Sequence, residues 1–274
     1  MSMEERHRSG IVITVFSTAS AVGKTLISIN MAAELAKQSY RVCLVDLDLQ
    51  FGDVCNYLQI MPQKTIFDAQ EAVRLNIDEF STEEYITKYQ QENVTFAVLA
   101  SPLKMEEAYN ISTEAVKKVL SRLQGEYDYI VLDTSSAFSD LNLAIMDLST
   151  IITFVGIVDF IPTIKNMKIG YDTMRSIGYD RNKIRFVLNR SNSKTRIELQ
   201  DVEQLLEEEF YHVLTNDFIA ARDSIHTGIP LVLDPKKTVL GQDIQRLIAK
   251  YTNRLEDNED SASGVSSWMK RLFK

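Results

Sequence analysis

Short apolar runs alternate with longer stretches of helical spacing along the first third of the chain. IVITVF at 11–16 is a β-branched run that reads as a strand. In LISINMAAELAKQ, which begins at residue 26, Leu26, Ile29, Ala33 and Ala36 recur at helical spacing. RVCLVD at 41–46 reads as a second buried strand. Strand, loop, helix and strand in that order form the βαβ pattern of a parallel sheet covered by helices. The pattern recurs in VTFAVLAS (94–101), YDYIVLD (127–133), IITFVGIVD (151–159) and KIRFVLN (183–189). Several of these runs are apolar almost throughout, as expected when both faces of a strand are covered. The spacing predicts helices around 112–124, 162–177, 198–210, 219–226 and 238–255, with HVLT as a short run between the helices at 198–210 and 219–226. Residues 60–93 predict two helices joined by polar turns.

After Leu255 the chain becomes acidic and then small and polar, EDNEDSASGVSS, a linker-like composition. It ends in WMKRLFK. The expected organisation is a flexible arm at 1–10, one α/β domain at 11–255, a linker at 256–264 and a tail at 265–274. The length of 274 residues suits this, since α/β domains often reach ~250 residues as one unit.

Composition narrows the function classes. Hydrophobic residues are 45% and charged residues 25%, which excludes a disordered or fibrous chain. Thirty basic residues stand against 38 acidic ones, for a net charge of -8. A chain held to nucleic acid by phosphate contacts should show a basic balance or patch, so DNA is not an expected partner. Cys43 and Cys55 cannot build a disulfide framework, and a cytoplasmic location is expected. There is no apolar run of ~18 residues, and the polar start MSMEERHRSG is no signal peptide. His7, His212 and His226 show no metal spacing, Cys43 reads as a small core residue, and Glu207 to Glu209 read as a solvated helix end.

The strongest chemical signal is Val22-Gly23-Lys24-Thr25 between a strand and a helix. A phosphate-binding loop needs inward backbone N–H groups, a lysine for the β- and γ-phosphates and a hydroxyl for Mg²⁺. The following helix adds a partial positive charge at its N-terminus. The full pattern G-x-x-x-x-G-K-[ST] is incomplete, because Thr18 stands at the first glycine. Asp46 and Asp48 lie two apart at a strand end, so both side chains leave on one face, toward the ligand crevice of a parallel sheet. Asp133 ends another strand and Asn189 a third.

STASAVGKTLISINMAAELA followed by RVCLVDLDLQFGDV resembles the deviant Walker-A ATPases of the MinD/ParA group, whose loop reads K-G-G-V-G-K-T. LASP, YDYIVLDTSS, FVLNRSN and NDFIAARDSIHTGIPLVL follow in the family's order, so the resemblance spans about residues 11 to 250. DLDLQFGDVCNYL is most similar to the CpaE/TadZ branch, which helps place Tad-type (type IVb) pili. The resemblance implies a three-layer P-loop NTPase fold, ATP and Mg²⁺ as ligands, and a nucleotide-dependent homodimer. It implies action in positioning or assembling a cell-envelope machine such as a Tad-type pilus, with pilus or envelope proteins as partners. It assigns Ser20, Ala21, Val22, Gly23, Lys24, Thr25 and Leu26 to the phosphates, Asn189 to the adenine, and Asn216 and Asp217 to the loop over the base. Thr25, Asp48 and Asp133 would serve the metal, Asp48 would position the attacking water and Lys24 would act with it in catalysis; Asp46 would act behind them. A nucleotide-binding localisation scaffold, a ParA-type partition ATPase and a MinD-type division-site ATPase are the alternative readings.

Three departures stand out. Ala19 occupies the place of the signature lysine, which in the family crosses the dimer to the partner's phosphates; its loss implies slow or altered hydrolysis. Ser20 and Ala21 replace two glycines, and the family's D-T-P-P reads Asp133-Thr134-Ser135-Ser136. The receiver-like N-terminal domain common in CpaE-like proteins is not in this chain. At ~100° per residue, Val265, Trp268, Met269, Leu272 and Phe273 share one side of the tail and Lys270, Arg271 and Lys274 the other. That pattern suits a membrane interface with anionic lipid and resembles the C-terminal targeting helix of MinD. The expected location is the cytoplasmic face of the inner membrane, peripherally bound.

Overall fold

The β-branched run Ile11–Phe16 forms β1, with Ile13 and Val15 buried on one face and Val12 and Phe16 on the other. This two-sided burial is what its unbroken apolar sequence requires. A computed structural model describes residues 9–75, 81–191 and 197–254. After β1 come α1 (Lys24–Lys37), β2 (Val42–Leu47), α2 (Val54–Leu58), α3 (Ile66–Arg74), β3 (Thr87–Gln91) and β4 (Val94–Leu99). There follow α4 (Met105–Tyr109), α5 (Thr113–Glu126), β5 (Tyr129–Thr134), α6 (Asp140–Leu148), β6 (Ile151–Gly156) and α7 (Ile161–Ser176). The described chain closes with β7 (Ile184–Ser191), α8 (Leu199–Leu206), β8 (His212–Thr215), α9 (Phe218–Thr227) and α10 (Val239–Tyr251).

Among the described residues, eight strands form one sheet in the order β3-β4-β2-β5-β1-β6-β7-β8. All pairs are parallel except β3 with β4. On one face Met31 and Leu35 of α1 and Ile244 and Leu247 of α10 pack on Ile13, Leu44 and Val131. On the other, Ala69 of α3, Leu120 of α5 and Ile145 of α6 cover Val45 and Leu132, while Met167 of α7 and Val202 of α8 cover Phe154 and Phe186. The result is the expected three-layer α/β/α fold with a mostly parallel sheet. Beyond β8, the segment through α9 to Leu233 turns back over α1. There the Val232 N–H donates to Asn30 Oδ1 at 3.1 Å, and the Tyr89 hydroxyl of the far-edge strand β3 donates to the Gly228 carbonyl at 2.9 Å.

The structure corrects several sequence expectations. Among the described residues of 60–93, α3 is followed by a short 3-10 turn at Thr82–Glu84 and an antiparallel edge strand, β3, where a second helix was expected. In β3 only Tyr89 is buried, so the segment carries no apolar signature. Helix α10 ends at Tyr251 and α8 at Leu206, where Glu207 turns left-handed. Glu208 is engaged by Arg181 and by the Tyr171 hydroxyl, so the glutamate run is only partly solvated. Gly10, placed in the arm, is buried and donates its N–H to Gln124 O at 2.7 Å. Residues 1–8 of the arm, the linker at 256–264 and the tail with Trp268, Met269, Lys270, Arg271, Leu272 and Phe273 lie outside the described residues. Among the described residues no helix is long and apolar enough to cross a membrane.

Candidate functional site

The strand order reverses direction at β1: β2, β4 and β5 lie to one side, β6, β7 and β8 to the other. In an open parallel sheet such a reversal leaves a crevice at the carboxyl ends of the strands. A cavity of about 1150 Å³ opens there. Ser20, Ala21, Gly23, Lys24, Thr25, Leu26, Asp48, Asn189, Asn216 and Asp217 all line it. Val22 and Asp133 are buried just behind its wall.

The loop from β1 to α1 is shaped by two left-handed residues. Gly23 has φ 96°, and a Cβ there would stand 2.6 Å from Asn189 Nδ2, so only glycine fits. Ala21 has φ 57° and adopts the same region without glycine's freedom, at a cost of about 1 kcal/mol. The end of β7 braces both. Asn189 Nδ2 donates to Val22 O at 2.7 Å, and Arg190 Nη2 donates to Ala21 O at 2.6 Å. Asn189 Oδ1 accepts from the Arg190 N–H at 2.8 Å. The amide that the family resemblance assigns to the adenine is therefore already bonded, at both ends, to the protein. Across the cavity, Asn216 follows β8, and Asp217 caps α9 by accepting from the Ala220 N–H at 3.0 Å.

The acidic residues occupy two levels. Asp46 and Asp133 are partners in the β2–β5 register and both are buried. Asp46 accepts from the N–H groups of Asp48 and Val54, each at 3.2 Å, and from Ser101 Oγ at 3.3 Å. It thereby organises the loop that carries Asp48, the supporting position expected of it. Gly52 makes this possible, since a Cβ there would overlap Ser101 Oγ and stand 2.5 Å from Asp46 Oδ2. Burial drives the Asp46 carboxyl far above the ordinary range, and the charge of Asp133 adds to this. Asp133 accepts from Ser28 Oγ at 3.0 Å and from the Thr25 hydroxyl. Burial raises Asp133 too, opposed by these hydroxyls and by Lys24. Asp48 is half-buried and raised by burial, with Lys24 pulling it back.

Lys24 is buried at the first position of α1. Burial holds its ammonium below the usual lysine range, against the attraction of Asp133 and Asp48. Its Nζ donates to Ser136 Oγ at 2.8 Å, and Ser136 Oγ donates to Ala19 O at 2.9 Å. Ser136, Arg190, Ser28 and Ser101 are site residues that the sequence reading missed. Ser136 had a signal, the serines where the family has prolines, but the partner of its hydroxyl could come only from the fold.

Among the described residues no three His, Cys, Asp or Glu side chains cluster to hold a metal. The donors present are oxygens: the Thr25 hydroxyl and the carboxylates of Asp48 and Asp133. Mg²⁺ takes one or two carboxylates and completes its shell with substrate phosphates and water, so these residues fit it without a dedicated cage.

Comparison with known proteins agrees with this geometry. The septum site-determining protein MinD of Thermotoga maritima is 24% identical over 233 residues, covering 82% of each chain. A ParA family ATPase from Chlorobium tepidum TLS superposes with a TM-score of 0.79 at 19% identity, covering 88% of this chain and 98% of that one. MinD from Pyrococcus horikoshii OT3, in complex with Mg-ADP, superposes with a TM-score of 0.74 at 20% identity, covering 88% and 96%. Residues 10–168, more than half of the chain, match the AAA domain family AAA_31. The protein therefore belongs to the AAA_31 family of AAA domains, within the MinD/ParA superfamily.

Proposed function

We propose that this protein binds Mg·ATP in the cavity above β1, hydrolyses it slowly, and uses its nucleotide state to control the pairing of two copies. The observation that carries the reading is Lys24, a buried ammonium at the mouth of β1 that shares the crevice with Asp48 and is attracted by the buried Asp133. A buried cation whose hydrogen bond goes to a neutral hydroxyl is matched to an anionic ligand. The loop N–H groups and the N-terminus of α1 add to the attraction for phosphate. Thr25, Asp133 and Asp48 would hold the metal, which when bound neutralises charge on the β- and γ-phosphate oxygens. Asp48 would orient the water for attack. Asn189 and Arg190 keep the phosphate loop in its bonded shape. Asn216 and Asp217, which line the same cavity, would serve the base.

The biological setting proposed is the positioning or assembly of a cell-envelope machine such as a Tad-type pilus, supported by the segment DLDLQFGDVCNYL. Peripheral attachment to the cytoplasmic face of the inner membrane, through the amphipathic pattern of residues 265–274, belongs to the same proposal. The division-site reading draws support from the MinD relatives. The scaffold reading draws support from Ala19, which removes the cation expected at that place. Turnover decides between enzyme and scaffold. Wild type is expected to release phosphate from Mg·ATP above background, and Asp48→Ala to keep its ATP affinity while losing most of that turnover. No turnover by wild type, alone or with lipid vesicles, would establish the scaffold; unchanged turnover by Asp48→Ala would remove Asp48 from the mechanism.

A further inference from the structure

We infer that Ser136 is a positioning residue that fixes the Lys24 ammonium for phosphate before nucleotide arrives. The inference rests on the nucleotide-site reading above and deepens it. Lys24 Nζ has three hydrogens, and among the described residues its hydrogen bond goes to Ser136 Oγ and it forms no ion pair. An ammonium can only donate and a carbonyl can only accept. The direction of the Ser136 hydroxyl is therefore forced: its hydrogen points to Ala19 O and a lone pair to Lys24. One hydroxyl thus joins three parts of the site. These are the start of the phosphate loop at Ala19, the lysine at its end, and the loop that leaves β5 three residues after Asp133.

The consequence is preorganisation. A long lysine side chain carries much rotamer freedom, which is lost when its head is fixed on a ligand. Ser136 removes that freedom in the empty protein and leaves two N–H donors for phosphate oxygens. Proline, which the family carries at this place, has no side-chain acceptor. The device therefore belongs to this chain and comes together with the loss of the lysine at position 19.

The test compares wild type, Ser136→Ala and Ser136→Thr in two measurements. By calorimetry, Ser136→Ala is expected to bind Mg·ATP and Mg·ADP about 5–20-fold more weakly, the cost of fixing a free lysine. Ser136→Thr keeps a hydroxyl and is expected to stay within about twofold of wild type. The second measurement needs no nucleotide: the rate at which an amine-acylating reagent modifies Lys24 in the empty protein, read by mass spectrometry. Ser136→Ala is expected to raise that rate several-fold and Ser136→Thr to leave it unchanged. Equal labelling of Lys24 in wild type and Ser136→Ala overturns the inference, as does a threonine variant no better than alanine. Failure of wild type to bind either nucleotide would overturn the functional reading, while the labelling arm would still decide the bond to Ser136.

Discussion

Replacing Lys24 with methionine should stabilise the empty protein and abolish its response to nucleotide. The ammonium sits in a position that is 8% exposed, with one hydrogen bond to a neutral hydroxyl. Removing an ammonium from water costs several kcal/mol in a protein interior. A hydrogen bond from a charged donor returns about 1.5–3 kcal/mol. The attraction of Asp133 and Asp48 returns part of the rest. A residual cost of about 1–2 kcal/mol remains, in line with stability commonly sacrificed at functional sites. Methionine has similar length and no charge, so Lys24→Met removes this cost without opening a cavity. Asp133 then loses a positive neighbour that lowers its pKa, so a carboxyl that burial already raises is raised further. Urea unfolding with and without Mg·ATP gives the readout. Without ligand the variant should be more stable by about 1–2 kcal/mol. With ligand at about 100-fold its dissociation constant, wild type should gain about 2.7 kcal/mol and the variant nothing. The order of stability should thus invert on adding nucleotide. A variant less stable than wild type in the empty state would refute the argument that Lys24 is held at a cost. A variant that nucleotide still stabilises would refute the phosphate role.

Gly52→Ala should destabilise the protein by about 2–3 kcal/mol in urea unfolding, because the new methyl displaces Ser101 and the Asp46 carboxylate that holds the 46–54 loop. A change below about 0.5 kcal/mol would show that the loop relaxes freely. His212 is buried with its Nε2 against Asp243 O at 2.7 Å. Burial lowers its pKa from 6.5, and the nearby Lys250 and Arg246 add to this while Asp243 opposes it. The unfolded chain therefore binds the proton first as pH falls. The stability contribution is full above the unfolded pKa of about 6.5 and is lost as pH drops through the lower folded value. The urea midpoint should fall between about pH 7.5 and about pH 5.5 more steeply in wild type than in His212→Gln, which donates the same hydrogen bond without titrating. Parallel pH profiles would remove His212 as the cause.

The parts of the fold legible in the sequence were those whose burial is two-sided. β1, β5 and β6 read as unbroken apolar runs because helices cover both faces, and each was located to within a few residues. β3 was not legible for the opposite reason. TKYQQ buries only Tyr89, and its strand identity comes from backbone pairing with β4, which no side-chain pattern records. In the site, Lys24, Thr25, Asp48 and Asp133 were legible because a strand-loop-helix context and strand-end positions mark them. Ser136, Arg190 and Ser101 act through partners more than fifty residues away in sequence, at Lys24, Ala21 and Asp46. Asn189 was legible as a site residue, yet its bonds to Val22 and Arg190 were not, since they depend on how closely β7 approaches the phosphate loop.

The bond between Tyr89 and Gly228 joins segments that belong to opposite rims of the sheet. In mechanical terms an open twisted sheet is a ribbon with two free margins, and its softest deformation is torsion about its long axis. The segment from β8 through α9 acts as a cord drawn from one margin to the other and made fast at β3. Torsion of the ribbon must then tighten or slacken the cord. Because α9 contributes Phe218, Ala221 and Ile225 to the cavity wall, the load falls on that wall. One segment thus ties the two margins of the sheet together and also walls the cavity.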